Sequence, residues 1–260
     1  MSAMGEHGYG DRVHLCNDAW TRTALARISS PTTSHPELMT LVRAVYQRLL
    51  TEVLAAEIPT TDTRVKTRMA AIHPKEGHWQ GSVLDPAARV VVVDLVRAGM
   101  VPAQVCFEAL SLVLPLENLR LDHVTLARRE GKDGHVAGVD LAGSKVGGTL
   151  EGATVLLPDP MGATGSTLVR VLHHLIEGFG RPRRIVAMPM IATPEFLKAA
   201  LAASPELVIY AGRVDRGLSK PEILDSPLGA RWDEERGLDS RDYIVPGAGG
   251  LGEVLNNSWC

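Results

Sequence analysis

Residues Pro158-Asp159-Pro160-Met161-Gly162-Ala163-Thr164-Gly165-Ser166-Thr167 lie between the apolar run 153–157 and an amphipathic stretch, and their types suit a phosphate monoester. Small residues let a backbone curl around an anion, while successive N–H groups at a helix N-terminus point at its oxygens. The hydroxyls of Thr164, Ser166 and Thr167 can add donors. A hydrogen bond to a charged oxygen is worth roughly 1.5–3 kcal/mol, so a handful accounts for micromolar binding, about 8 kcal/mol, without a lysine. The segment also lacks the GxxxxGK[ST] lysine of a nucleotide P-loop. Asp159, at the strand end, is poorly suited to hold polyphosphate and well placed to accept hydrogen bonds from ribose hydroxyls. The competing reading is a glycine-containing strand–helix turn that merely carries an acid.

Such a loop needs a strand before it and a helix after it. The runs 89–93, 153–157, 184–188 and 207–210 are short, apolar and rich in β-branched residues, which predicts buried strands. Between them, 167–176 and 194–203 carry helical periodicity, the second opened by Thr193 as cap, Pro194 and Glu195. An earlier helix is expected from Ser34, with Glu37 completing a capping box and Pro36 in the first turn. Apolar strands alternating with helices predict an α/β fold, a mainly parallel twisted sheet covered on both faces. Ligands then bind beyond the carboxyl ends of the strands, where the phosphate loop falls.

The chain has 260 residues, 45% hydrophobic and 22% charged, enough to bury a sizeable core. Residues 1–33 read as an N-terminal arm, loosely ordered, and 34–260 as a single domain with an insertion at about 219–241. A net charge of −3 argues against a general nucleic-acid binder. Cys16, Cys106 and Cys260 are scattered and form no metal or disulfide pattern. No signal-like or membrane-spanning run occurs, so a cytoplasmic protein is expected, without nucleic-acid or membrane partners.

The stretch DPMGATGST resembles the DPMLATGGS form of the type I phosphoribosyltransferase signature in uracil phosphoribosyltransferases, with Gly162 replacing a Leu and an ending nearer TGxT. The likeness runs from about residue 35 to 253. It covers Leu95-Val96-Arg97-Ala98-Gly99, similar to the family's LRAG turn, and Ala127-Arg128-Arg129-Glu130, similar to its YRNE-like stretch. Residues 131–150, with Lys132 and Lys145, resemble its mobile flap without the aromatic residues, which implies flap and hood elements beside the sheet. The segments 191–195 and 214–218 match in register and are assigned no chemistry. Residues 242–253 resemble the uracil loop YIxPGLGDAGD.

That resemblance implies the reaction of uracil with 5-phosphoribosyl 1-diphosphate to give UMP and diphosphate. It implies that Arg97, Arg128, Asp159, Pro160, Met161, Gly162, Ala163, Thr164, Gly165, Ser166 and Thr167 hold the phosphoribosyl substrate. Ile244, Gly249, Gly250 and Leu251 would surround uracil, and Asp159, Arg97 and Arg128 would carry the catalysis. Mg²⁺ is expected to arrive on the diphosphate, with no protein metal site, and a homodimer or higher homo-oligomer is expected by analogy. The chain departs most at the base loop, where the family's Asp is Gly250, its Ala is Leu251 and its next Asp is Glu253. A transferase for another base and a non-catalytic regulatory homologue therefore stand as alternatives.

Overall fold

The computed structural model describes residues 6–130 and 136–258, without the side chains of 127–130 and 136–140. From the N-terminus come β1 (Val13–Leu15), α1 (Ala19–Ile28) and α2 (Glu37–Glu57), then the hairpin of β2 (Thr60–Lys66) and β3 (His78–Leu84). Next are β4 (Val90–Val96), α3 (Met100–Ser111), β5 (Leu119–Glu130), β6 (Val136–Lys145) and β7 (Thr154–Leu157). Then follow β8 (Met161–Gly162), α4 (Ser166–Phe179), β9 (Arg184–Ala187), β10 (Ile191–Ala192) and α5 (Pro194–Ala203). The chain closes with β11 (Leu207–Ala211), β12 (Arg213–Val214), α6 (Pro221–Leu224) and α7 (Leu251–Asn256).

The main sheet has the order β1-β11-β9-β7-β4-β5-β6, parallel throughout except for the antiparallel edge strand β6. Its alternating side chains feed two cores. Val90 and Val92 pack with α1, α2 and α3 on one face, while Val91, Val93 and Leu95 pack with α4 and α5 on the other. This is the expected parallel α/β architecture, helices on both faces. Each predicted strand is present within a few residues, and Thr193 caps α5 as expected, accepting from Phe196 N at 3.0 Å.

Three expectations are corrected. Residues 13–28 are not a loose arm. Val13, His14 and Leu15 pair in register with Ile209, Tyr210 and Ala211, and Arg12 bonds the carbonyls of Ser204, Leu207 and Leu201 beside them. Residues 136–145 of the expected flap form strand β6, paired with β5 through two register shifts. Finally, the box at Ser34 does not form. The N-cap of α2 is Pro36, and Ser34 contributes its carbonyl, which accepts from Leu38 N at 2.9 Å.

The insertion is welded to the body by one buried acid. Glu235 accepts from Tyr9 Oη at 2.6 Å, Arg216 Nη1 at 2.6 Å and Gly229 N at 2.9 Å. Trp232 adds an indole bond to the Pro194 carbonyl, and Glu195 accepts from Gly237 N. The N-terminal segment, α5 and the insertion thus share one anchor. Removing one partner of a buried ion pair strands the other charge, at a cost of about 3–5 kcal/mol. Glu235→Ala is expected to lose about that much unfolding free energy in urea; a loss below about 1 kcal/mol would show that water replaces the pair.

Candidate active site

β7 stops at Leu157 because Pro158 and Pro160 have no N–H to donate to a ladder. Pairing resumes at β8, where Met161 and Gly162 lie opposite Ile191 and Ala192 of β10, themselves opposite Arg213 and Val214 of β12. Thr193 N donates to the Gly162 carbonyl at 3.0 Å and Thr193 Oγ1 to the Ala163 carbonyl at 2.6 Å. The residue that caps α5 therefore also pins the back of the phosphate loop. Gly165 has φ +80°, and a Cβ there would meet Ala199 Cβ at 2.9 Å, so glycine is required twice over. At Gly162 a Cβ would press on the Phe196 ring at 2.9 Å, which accounts for the small residue. The N-cap of α4 is Gly165, which has no side chain to cap it, so amides of its first turn stay open to an anion. Thr164 Oγ1 lies 2.8 Å from Ser166 Oγ and accepts from Ser166 N.

A cavity of about 510 Å³ lies against this loop, within the usual size of a small-molecule site. Asp159, Met161, Ala163, Thr164, Ser166 and Thr167 line one side, and Arg97 after β4 lines another. The third side is the base loop, Tyr243, Ile244 and Gly249 to Glu253. The structure thus brings together all four proposed base-loop residues, Ile244, Gly249, Gly250 and Leu251, with six of the expected phosphoribosyl residues of the loop. Gly162 and Gly165 line a smaller adjoining cavity of about 80 Å³. Pro160 lines neither; its carbonyl accepts from Met190 and Ile191.

Arg97 is presented by a tight turn in which Gly99 N donates to the Leu95 carbonyl at 2.9 Å. A Cβ on Gly99 would come within 2.8 Å of Leu95 N, which excludes other residues there. Arg97 Nη1 donates to Ser258 Oγ at 3.0 Å, linking it to the segment after α7. The Arg128 backbone lies opposite Val139 in the β5–β6 pair, while its side chain lies outside the described residues, as does Lys132. Lys145 is exposed and does not line the cavity.

The base loop has little regular structure and is held from outside. Asp215, 2% exposed, accepts from Gly247 N at 2.8 Å and pairs with Arg213 at 2.6 and 2.9 Å. Arg213 also donates to the Gly247 carbonyl, and Gly217 N to that of Val245. Asp215 and Arg213 are therefore positioning residues that sequence reasoning misses, and their acid–base spacing across one strand residue is the available signal. Arg241 is missed too. It lines the cavity mouth with its guanidinium 5.5 Å from the Tyr243 ring, and its only signal is a basic residue beside the loop.

Asp159 titrates unusually. Burial, first, and the nearby Asp94 carboxylate push its carboxyl up to about 6, against the opposing pull of the Met161 backbone. Asp94, buried in β4, is itself raised by burial, while its 2.9 Å bond to His123 Nδ1 opposes that. Two neighbouring carboxyls at the strand ends therefore resist ionising together.

Residues 16–231 match the family model described as uracil phosphoribosyltransferase. The match begins well before residue 35, within the segment read as an arm, and ends before the base loop, whose likeness rests on its motif. A uracil phosphoribosyltransferase of Thermococcus gammatolerans is 35% identical over 38% of this chain and 35% of its own length. One from Thermococcus sibiricus is 28% identical over 67% of this chain and 62% of its own. The chain thus spans less than two thirds of these relatives. The solved AQ2163 protein from Aquifex aeolicus superposes with a TM-score of 0.69 over 94% of this chain and 97% of that one, at 23% identity, a likeness of fold.

A raised Asp159 makes the folded protein bind a proton more tightly than the unfolded chain between pH 3.8 and about 6. Stability contributed at this site therefore falls as pH rises through that window and is level above it. Asp159→Asn removes the penalty, so the variant gains on the parent from pH 4 to pH 7, by at most about 3 kcal/mol. Urea unfolding at the two pH values checks this; a difference that does not change with pH would contradict it.

Proposed function

The chain belongs to the uracil phosphoribosyltransferase family, and on that premise we propose that it joins uracil to 5-phosphoribosyl 1-diphosphate, releasing UMP and diphosphate. One observation carries the reading: the phosphate loop, the Arg97 turn and the base loop face a single cavity. The 5′-phosphate and ribose, the diphosphate and the base need three different chemistries, and these three walls carry suitable groups for each.

In this reading the amides opening α4, with the Thr164, Ser166 and Thr167 hydroxyls, anchor the 5′-phosphate. Asp159 accepts hydrogen bonds from the ribose hydroxyls, most strongly in its ionised form, which its raised pKa of about 6 favours above that pH. Arg97, and Arg128 by resemblance, take the charge that develops on the leaving diphosphate, an interaction strongest in an oxocarbenium-like transition state. Ile244 and Leu251 supply apolar walls for the base. Among the described residues no cluster of three His, Cys, Asp or Glu could hold a metal alone. By resemblance, Mg²⁺ would come with the diphosphate and neutralise phosphate charge when bound.

We place the reaction in the cytoplasm, as pyrimidine salvage by a homodimer or larger assembly, without nucleic acid or membrane partners. Among the described residues no helix is long and apolar enough to cross a membrane. A transferase for another base is favoured by Leu251, which lines the cavity where the family carries Ala.

Diphosphate release with 5-phosphoribosyl 1-diphosphate, Mg²⁺ and a panel of bases tests the proposal. Uracil is expected to drive release, and kcat/KM to fall below about pH 6 as Asp159 protonates. Asp159→Asn should lower kcat by about 100-fold or more with the fold intact. Release with another base alone would reassign the substrate, and near-normal turnover by the variant would remove the ribose role.

A further inference from the structure

Gly250 is a glycine without a backbone reason to be one. Its φ of −75° and ψ of 69° are those of an inverse γ-turn, which L-residues adopt, unlike the positive φ of Gly247 and Gly249 in the same loop. Beyond the local backbone, the atoms nearest to a Cβ at 250 are those of the Glu253 carboxylate. A Cβ built there collides with Glu253 Oε2 and lies 3.1 Å from its Cδ. The three-residue spacing explains the geometry. Glu253 N donates to the Gly250 carbonyl at 3.0 Å, and in this first turn of α7 the Glu253 side chain folds back along the helix. The carboxylate thus sits in the space that a side chain on residue 250 would fill, on the wall of the cavity, beside Gly249 and Leu251.

We propose that Glu253 is the carboxylate of the base subsite, delivered across Gly250, and that the two residues work as a coupled pair. The proposal rests on the base-loop half of the function proposed above. A free pyrimidine presents ring N–H groups, and the flanking Ile244 and Leu251 side chains can accept no hydrogen bond. Glu253 offers a carboxylate acceptor there, and a hydrogen bond to it fixes the orientation of the base. Asp159, after β7 beside the phosphate loop, belongs to a different wall of the cavity from the base loop. The glycine is then the condition for the glutamate: any side chain at 250 evicts the carboxylate.

A kinetic double-mutant cycle tests the pair in the full-length protein. Glu253→Gln should raise the KM for uracil by about 10-fold or more and leave that for 5-phosphoribosyl 1-diphosphate within about twofold. Gly250→Ala, whose backbone is tolerated, should do the same by displacing Glu253, and should add nothing in the Glu253→Gln background. Gly250→Asp with Glu253→Ala should regain most of the uracil affinity by returning a carboxylate from the other position. An unchanged uracil KM in Glu253→Gln, or single effects that multiply in the double variant, would overturn the proposal while leaving uracil transfer standing. A parent enzyme that turns over no base would overturn both.

Discussion

Three neighbouring strands, β7, β9 and β11, leave the main sheet at their carboxyl ends and pair again, a few residues later, as β8, β10 and β12. The break is written in the backbone. Pro158, Pro160 and Pro189 cannot donate, and Gly212 sits where a Cβ would meet the Met190 carbonyl at 2.8 Å. The second pairing restores the lost hydrogen bonds, as buried backbone requires, through Met190 N and Ile191 N to the Pro160 carbonyl and Asp215 N to that of Ala192. Its exits are the residues proposed to form or hold the site. After β8 comes the phosphate loop, after β10 Thr193, and after β12 Asp215, which holds Gly247 of the base loop. A shift in any of the three strands therefore moves the walls of the cavity relative to one another.

The acids of the site are separated by environment. Asp159 lies among strand ends, with the Asp94 carboxylate near it, and holds its proton more tightly than an ordinary carboxyl. Asp215, more enclosed, is locked to Arg213 and accepts from the Gly247 backbone. Glu253 reaches the cavity from the first turn of a short helix. Asp159 and Glu253 line the cavity, whereas Asp215 lies behind the base loop, so the three acids have different neighbours.

Much of this is legible in the amino-acid sequence. Four apolar runs of about four residues could only be buried strands, and Gly165 with its hydroxyl neighbours announces an anion loop. What stays hidden there is short or non-local. β1 is three residues long with His14 in the middle, so it carries no apolar run, and its place is set by Ala211 and Tyr210 far along the chain. The second sheet consists of two-residue strands that no periodicity can register. Ser34 and Glu37 have the spacing of a capping box, but the α2 start at Pro36 leaves no role for the hydroxyl. The chemistry of Asp215 is hidden because its partner amide lies 32 residues away. Gly250 reads as a lost carboxylate; the position of Glu253 against it is visible only in three dimensions.

The proposed function requires that phosphate loop and base loop form the two ends of a single nucleotide site. A crystal structure of the protein soaked with UMP tests this most directly. The phosphate should lie within hydrogen-bond distance of the amides and hydroxyls between Thr164 and Thr167, with the pyrimidine between Ile244 and Leu251 and the ribose hydroxyls on Asp159. A phosphate bound elsewhere, or a base that leaves the 242–253 loop untouched, would contradict it.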